Sequence, residues 1–203
     1  MADFFGKELV IMILDVKYDS NLADMKRVIQ NGGIKSMSHA INDALSQGKT
    51  HLDRCVRSIY AIKQKDFKDA SKLIKCYPGD LQKGKIIVES RRLSSYHFSF
   101  TPKKYKSQKG IEVSKRKKAA ITIKKGQKKA YIHGFVVNPA SLNNGYTLLW
   151  ERNGNGTINP IRSVSVAQMV SNVDAYNPTQ EFMSKVYDEK LEEYLKKQFK
   201  IKE

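Results

Sequence analysis

The sequence predicts an α+β protein in which helices come first, a mostly antiparallel β-sheet follows in the centre, and an amphipathic helix comes last. Three observations support this fold class. Apolar residues recur at helical spacing from Ile34 to Ile62, short β-rich runs between turn residues follow from Lys83, and helical spacing returns beyond Thr179. The chain has 203 residues, of which 40% are hydrophobic, enough for one buried core. We therefore predict a single domain, residues 1–203, with its helical part at 20–76, its β-rich part at 83–152 and its C-terminal helices at 164–200.

The N-terminal third predicts helices of unequal length. Residues Phe4–Val16 are rich in Ile, Leu and Val and favour a buried strand or a short helix, and another short helix should follow over 20–30. The 3-4-3-4 spacing of apolar residues over Ile34–Ile62 predicts one amphipathic helix that spans roughly 43 Å. A further helix is expected over about Phe67–Cys76, where the turn residues Tyr77-Pro78-Gly79-Asp80 end it.

Gly48 lies in the middle of the long predicted helix. Glycine in a helix interior costs roughly 1 kcal/mol relative to alanine, so its presence needs a structural reason. We expect either a kink at this position or the close approach of another part of the backbone.

Extended segments separated by turns fill the middle of the sequence. Two turns are especially clear, Asn143-Asn144-Gly145 and Asn153-Gly154-Asn155-Gly156, and the first lies between two strand candidates as a β-hairpin requires. These features indicate a mostly antiparallel sheet. The predicted strands are Ile86–Val88, Tyr96–Phe100, Gly110–Val113, Ala120–Lys124, Tyr131–Val137 and Tyr146–Arg152.

The C-terminal segment predicts a helix that starts within Val164–Ser171, is interrupted at Asn177-Pro178 and resumes with Thr179 as its cap. The final helix has an apolar side and a charged side. Together with the long N-terminal helix, it offers apolar side chains for packing against neighbouring subunits. The residues predicted for this role are Ile41, Leu45, Leu52, Ile59, Phe182, Leu191 and Leu195.

Positive charge is the most unusual property of the sequence. Its 37 Lys and Arg residues against 20 Asp and Glu residues give a formal net charge of +17, which indicates a polyanionic partner, an acidic protein surface or a narrow basic lumen. Lysines contact phosphates without reading bases, so we expect non-specific contact with double-stranded DNA. An acidic protein surface and an ordinary solvated loop are the alternatives. Much of this charge lies in one stretch, residues 103–129, which we call the basic segment. It contains one acidic residue, Glu112, and these twelve basic ones: Lys103, Lys104, Lys106, Lys109, Lys115, Arg116, Lys117, Lys118, Lys124, Lys125, Lys128 and Lys129.

Tyr96, Phe98 and Phe100 precede the basic segment at alternating positions. Aromatic side chains beside lysines can stack on bases, as they do in proteins that bind single strands. Alternation along a strand also has a simpler interpretation, in which the three rings share one face and fill the core.

Sequence motifs for enzymatic chemistry are incomplete. Gly79–Lys85 matches the first seven positions of a phosphate-binding loop, but Ile86 replaces the Ser or Thr that would hold magnesium, and a strand follows. His51 and Cys55 share one helix face, and two ligands do not make a zinc site. We find no nucleophile elbow and no carboxylate cluster for a nuclease metal site. We therefore expect no catalytic residue, no metal and no cofactor, and a structural protein rather than an enzyme.

The two cysteines, Cys55 and Cys76, are too few for a disulfide framework in a chain of this size. We expect them to be small core residues in a reducing compartment. The apolar run Leu9–Leu14 is far shorter than the roughly 20 residues of a membrane span, and no basic leader precedes it. We expect a protein made in the cytoplasm with no membrane partner.

Three stretches of the sequence form a recognisable order. The first is Ala40–Leu45, leading through Thr50 and Arg54 to Tyr60-Ala61-Ile62-Lys63 and a basic helix. The second is Gly134-Phe135-Val136 followed by Leu149-Trp150-Glu151-Arg152, after a basic sheet region. The third is Pro160-Ile161 with Ser165-Val166-Ala167-Gln168-Met169, before a terminal amphipathic helix. Over about residues 25–200, this order resembles the bacteriophage minor tail protein Z family.

The resemblance implies a structural virion protein at the head-proximal end of the tail, acting in tail completion, tail termination or head–tail joining. Because tails have six-fold symmetry, it also implies a hexameric ring around the DNA path, assembled in the bacterial host cytoplasm and touching other tail and neck proteins. On this interpretation the helices Ile34–Ile62 and Thr179–Phe199 mediate assembly, and the basic segment faces the lumen. Two alternatives stay open: a stand-alone basic nucleic-acid-binding protein with no tail role, and an enzyme such as a nuclease.

Overall fold

Two long helices and several short antiparallel strands form the described part of the chain. The computed structural model describes residues 8–12, 33–103, 118–131, 133–137 and 147–199. Its helices are α1 (Ile34–Ile59), α2 (Gln64–Ala70), α3 (Val166–Val170) and α4 (Val173–Phe199). Its strands are β1 (Glu8–Met12), β2 (Ser71–Ile74), β3 (Lys85–Ser90), β4 (Arg92–Ser94), β5 (Ser99–Thr101), β6 (Ala119–Thr122), β7 (Lys128–Tyr131), β8 (Gly134–Val137), β9 (Leu148–Arg152), β10 (Ile158–Pro160) and β11 (Arg162–Ser165). This arrangement confirms the predicted α+β class.

Helices α1 and α4 pack along each other as an antiparallel pair. In the first half of α1, Asp43 accepts a hydrogen bond from the Tyr194 hydroxyl at 2.6 Å. At the other end, the Asn172 amide donates to the Tyr60 hydroxyl at 3.0 Å. The apolar residues of α1 come together on one buried face because their spacing matches the helical period. The helix ends at Ile59 rather than Ile62, since Tyr60 takes an extended backbone conformation.

Gly48 is buried in α1 against the side chain of Met183 from α4. The space above its Cα is filled by the methionine thioether, so Met183 would have to shift before a side chain could fit at position 48. Gly48 is thus closely packed, but the predicted approach of another backbone segment is wrong, because the approaching group is a side chain.

The break between the C-terminal helices lies earlier than predicted. It falls at Ser171 and Asn172, where the Asn172 side chain accepts a hydrogen bond from the Asp174 amide at 3.0 Å and caps α4. Pro178 lies inside α4, so the predicted interruption is wrong. Thr179 is not a cap either, because its buried hydroxyl donates to the Ala175 carbonyl at 2.8 Å. The packing of α4 against α1 outweighs the hydrogen bond that proline removes.

The central, mostly antiparallel β-structure that was predicted is divided into four small antiparallel sheets within the described residues. Their strand orders are β1-β3-β2, β5-β6-β7, β10-β9-β8 and β11-β4. The predicted antiparallel direction is confirmed for every described strand pair. Strands β8 and β9 pair as the predicted hairpin requires, and β9 and β10 flank the predicted turn at Asn153–Gly156. The turn residues 143–145 lie outside the described residues.

Several local predictions are wrong where tertiary pairing decides the conformation. The helix expected to reach Cys76 ends at Ala70, because Ser71–Ile74 pairs with β3 as strand β2. The single strand predicted over Tyr131–Val137 is divided between β7 and β8. Strands β4, β10 and β11 were not predicted, so the β-rich part continues past residue 152 to Ser165.

Other predicted elements are confirmed or lie outside the described residues. The predicted strands Ile86–Val88, Ala120–Lys124 and Tyr146–Arg152 correspond to β3, β6 and β9. Of the two options for the apolar N-terminal segment, the structure has a strand, β1, paired with β3. The helix predicted over 20–30 and the strand Gly110–Val113 lie outside the described residues.

One hydrophobic cluster connects the helices with the sheets. Cys76 is buried in this cluster and Cys55 is partly buried against it, both as free thiols. The expectation that the cysteines are core residues is thus confirmed for Cys76 and met only in part by Cys55. Among the largest fully buried side chains are those of Leu52, Phe67, Ile86, Ile121, Leu149 and Met169.

Candidate nucleic-acid interface

The described half of the basic segment is gathered on and around the β5–β6–β7 sheet. Six of the twelve predicted contact residues are described, and all six side chains are exposed. Those six are Lys103, Lys118, Lys124, Lys125, Lys128 and Lys129. The other six lie outside the described residues: Lys104, Lys106, Lys109, Lys115, Arg116 and Lys117.

The inner face of this sheet belongs to the hydrophobic core. Phe100 pairs with Ile121 across β5 and β6, and Ile121 pairs with Lys129 across β6 and β7. Residues directly opposite each other point to the same face of a sheet. Phe100 and Ile121 are buried, so Lys129 extends from the core side of the sheet at its exposed edge.

The outer face has a different composition. Ser99 pairs with Thr122, and Thr122 pairs with Lys128, so these three residues form one row across the strands. This row is adjacent to the row of Phe100, Ile121 and Lys129. Successive residues of a strand point to opposite faces. Lys128 and Lys129 therefore extend from opposite sides of the same edge strand, and Lys128 shares its side with two hydroxyl groups.

Three of the described lysines lie over aromatic rings, which holds their ammonium groups in place through cation–π attraction. Such contacts are worth about 0.5–1 kcal/mol at exposed sites. They give these lysines a structural role that does not depend on any partner. The distances from Nζ to the ring centroid are 4.7 Å for Lys103 over Phe100, 5.8 Å for Lys124 over Tyr60 and 5.1 Å for Lys129 over Tyr131.

The turn between β6 and β7 is attached to the C-terminal end of α1. The Lys125 amide donates to the Ile59 carbonyl at 2.9 Å, and the Ala61 amide donates to the Ile123 carbonyl at 2.8 Å. Gly126 allows this tight turn because its φ of 75° is a conformation that L side chains rarely adopt. The last carbonyls of a helix carry partial negative charge, so Lys125 and its neighbour Lys124 are also favoured there electrostatically.

None of the six described lysines forms an ion pair with a carboxylate among the described residues. The lysines of α4 differ in this respect, because Lys190 and Lys197 both bind Glu193, at 2.6 and 2.5 Å. These two lysines lower the pKa of Glu193 to about 2, mainly through their hydrogen bonds. Positive charge is thus neutralised locally on α4 but not on the β5–β6–β7 sheet.

The three aromatic residues before the basic segment do not form one stacking surface. Phe98 and Phe100 are buried, which confirms the core interpretation for both. Tyr96 lies in a 3-10 turn, is 37% exposed, and places its ring 3.9 Å from that of His97. Base stacking by Phe98 or Phe100 is therefore excluded in this conformation.

The residues predicted for subunit packing divide into two groups. Ile41, Leu45 and Leu52 are buried inside the chain, so for these three the predicted contact with another subunit is wrong. Their helical spacing is explained by the packing of α1 within its own subunit. The partly exposed residues, for which packing between subunits stays a prediction, are Ile59, Phe182, Leu191 and Leu195.

His51 and Cys55 share one face of α1, as predicted. The His51 Nδ1 atom lies 3.5 Å from the Cys55 sulfur and 3.3 Å from the Thr179 hydroxyl, and its ring stacks on Phe182 at 4.4 Å. Among the described residues there is no group of three or more His, Cys, Asp or Glu side chains placed to hold a metal ion. No helix in the same part of the chain is long and apolar enough to cross a membrane.

The polar row formed by Ser99, Thr122 and Lys128 was not anticipated from the sequence. Only the strand register brings its members together. Ser99 and Thr122 lie in two predicted strands, but Lys128 lies outside every predicted strand. The sequence therefore carried no signal that places the three side chains on one face.

Comparison with known protein families, with curated proteins and with solved structures finds no match to this chain. The resemblance to the minor tail protein Z family therefore depends on the short sequence patterns alone.

Proposed function

We propose that this protein is a structural component of the head-proximal end of a bacteriophage tail, acting in tail completion or head–tail joining. In this role its basic segment contacts the DNA backbone without sequence preference. The observation that supports the proposal most directly is the group of six exposed lysines, without a carboxylate partner among the described residues, on and around one small sheet.

Electrostatics favours a nucleic acid as the partner of this surface. Double-stranded DNA carries one negative charge per about 1.7 Å of its axis, and each lysine that neutralises a phosphate releases a condensed counterion. Lysines already paired with carboxylates would have to break those pairs first. The described lysines of the β5–β6–β7 sheet have no such pairs to break.

Placement in the tail is supported by the order of the three sequence stretches that resemble the minor tail protein Z family. A ring of subunits needs apolar contacts between copies. Ile59, Phe182, Leu191 and Leu195 are only partly covered within the chain and remain available for such contacts. We expect six copies, by analogy with the six-fold symmetry of tails.

Cryo-electron microscopy of the intact particle tests the placement. The expected result is a ring of density at the head–tail junction that fits this chain, with the β5–β6–β7 sheet directed at the lumen. A fully resolved particle without this chain at the junction would overturn the tail assignment.

DNA contact is tested separately with a matched pair of variants. The triple variant Lys124→Gln, Lys125→Gln, Lys128→Gln removes three positive charges from the sheet, and the control Lys185→Gln, Lys196→Gln, Lys197→Gln removes three from α4. The first should weaken binding to a DNA duplex and reduce its dependence on salt, and the control should change both much less. Equal effects of the two variants would point to net charge alone and contradict a defined interface.

The second candidate is a stand-alone nucleic-acid-binding protein, because the same exposed lysines also suit that role. Light scattering after size-exclusion chromatography discriminates between the two. A monomer that binds duplex DNA tightly favours the second candidate, and assembly into a ring favours the tail component. Metal-dependent cleavage of DNA by the purified protein would instead support an enzyme.

A further inference from the structure

The two faces of the β5–β6–β7 sheet are not equally open to a partner. On the inner side, a Cβ atom added to Gly134 would lie 2.8 Å from the Cβ of Tyr131 and 2.9 Å from the Cβ of Ala119. Tyr131 and Ala119 pair with each other and share the inner side with Ile121 and Lys129. Strand β8 therefore lies directly against the inner face.

Lys129 is held on this covered side. Its ammonium group lies over the ring of Tyr131, which is itself half-buried and packed against the core. To reach a phosphate in front of the outer face, the side chain would have to leave this ring and pass around the edge of the sheet. Lys129 is exposed, but it points away from the outer face.

The outer row has the chemistry of a phosphate contact. Ser99 and Lys128 are exposed and Thr122 between them is half-buried. Serine and threonine hydroxyls and lysine ammonium groups all donate hydrogen bonds to phosphate oxygens. Neighbouring strands lie about 4.8 Å apart, so the row spans roughly 10 Å from β5 to β7. The segments 99–103 and 118–131 contain no acidic residue that would repel a phosphate.

We infer that the row formed by Ser99, Thr122 and Lys128 on the outer face of the sheet is the surface that contacts DNA phosphates, and that Lys129 is not a contact residue. This inference rests on the proposed DNA contact and refines it, since it assigns the contact to one face of the sheet.

The single variants Lys128→Gln and Lys129→Gln test the inference, because they remove the same charge from adjacent positions of one strand. Binding of a fluorescent DNA duplex is measured by anisotropy at several salt concentrations. Lys128→Gln should reduce the salt slope by about one and lower the affinity about fivefold to tenfold near 0.1 M salt. Lys129→Gln should leave the slope unchanged and lower the affinity less than twofold.

Thr122→Val provides a second measurement that does not change charge. It should lower the affinity about twofold to threefold at an unchanged salt slope, since it removes one hydrogen-bond donor and keeps the side-chain volume. Thermal unfolding of each variant checks that the fold is retained.

The outcomes separate this inference from the proposed function. If the unmodified protein binds the duplex but Lys128→Gln and Lys129→Gln have equal effects, the assignment to the outer face is overturned and the DNA contact stands. If the unmodified protein does not bind the duplex, or binds poly-L-glutamate more tightly at the same salt, the DNA contact fails and the inference fails with it.

Discussion

The sulfur of Met183 occupies the place where a side chain at position 48 would lie: a Cβ atom added to Gly48 would be 2.1 Å from Met183 Sδ and 2.3 Å from its Cγ. Real Cβ atoms do not approach other atoms so closely. The methionine from α4 therefore fits into α1 only because position 48 is glycine.

Gly48→Ala should destabilise the protein by up to about 2 kcal/mol. Alanine gains about 1 kcal/mol in helix propensity, while forcing a methyl group into a filled space costs about 1–3 kcal/mol. Urea unfolding measures the difference. Gly79→Ala is the control, because nothing lies within 4 Å of its added Cβ, and it should stay within about 0.5 kcal/mol of the unmodified protein. Substituting Met183→Ala in the Gly48→Ala protein should remove part of the clash, and strictly additive effects would contradict the contact.

Asn172→Ala should destabilise the protein by about 1–2 kcal/mol, because the asparagine caps α4 through the Asp174 amide and also binds the Tyr60 hydroxyl. Asn177→Ala is the matched control, since Asn177 is exposed inside α4. Thermal unfolding measures both. A larger loss of stability for Asn177→Ala would contradict the assignment of Asn172 as the cap of α4.

Asp66→Ala should cost about 1–3 kcal/mol of stability. One carboxylate oxygen accepts a hydrogen bond from the Lys63 amide at the start of α2, and the other lies 2.7 Å from His97 Nδ1. The variant thus loses a helix cap and leaves a half-buried histidine without its partner. Asp69→Ala, on the same helix but exposed, should change stability by less than about 0.5 kcal/mol in the same urea experiment.

Glu193 should titrate at a much lower pH than an ordinary glutamate. The hydrogen bonds from Lys190 and Lys197 lower its pKa from 4.5 to about 2. Because the pKa is lower in the folded protein, the stabilisation from this cluster is present above pH 4.5 and is lost as the pH falls toward 2. Carbon-detected NMR should find a pKa near 2 in the unmodified protein. In the variant Lys190→Gln, Lys197→Gln the pKa should return toward 4.5, and an identical pKa in both proteins would contradict the assignment.

The long helices were predictable because their signals are local. The spacing of Ile41, Leu45 and Leu52 follows the helical period, and burial of one face is enough to explain it. The same spacing did not say whether the covering surface was another subunit or α4 of the same chain. Periodicity alone therefore could not predict that these three side chains are buried against other parts of the same chain.

Other features depend on partners that are distant in the sequence. Ser71–Ile74 is a strand because β3 lies beside it, although the preceding residues form a helix. Pro178 is accommodated inside α4 because α1 holds that helix. Ser99, Thr122 and Lys128 form a row through strand register alone. The density of lysines in the sequence was enough to identify the basic segment. The side of the sheet on which each lysine lies follows only from the pairing of the strands.

The opposite directions of Lys128 and Lys129 make the outer face sensitive to the length of the turn at 123–127. Deleting one residue from this turn would shift β7 by one position against β6 and exchange the side chains on its two faces. The net charge of the protein would stay the same if the deleted residue were Gln127, yet Lys129 would replace Lys128 in front of the sheet. An insertion or deletion of two residues would restore the original direction. Related chains that keep a cation on this face should therefore differ in the length of this turn by two residues. Where the turn length differs by one residue, the lysine should be displaced by one position along β7.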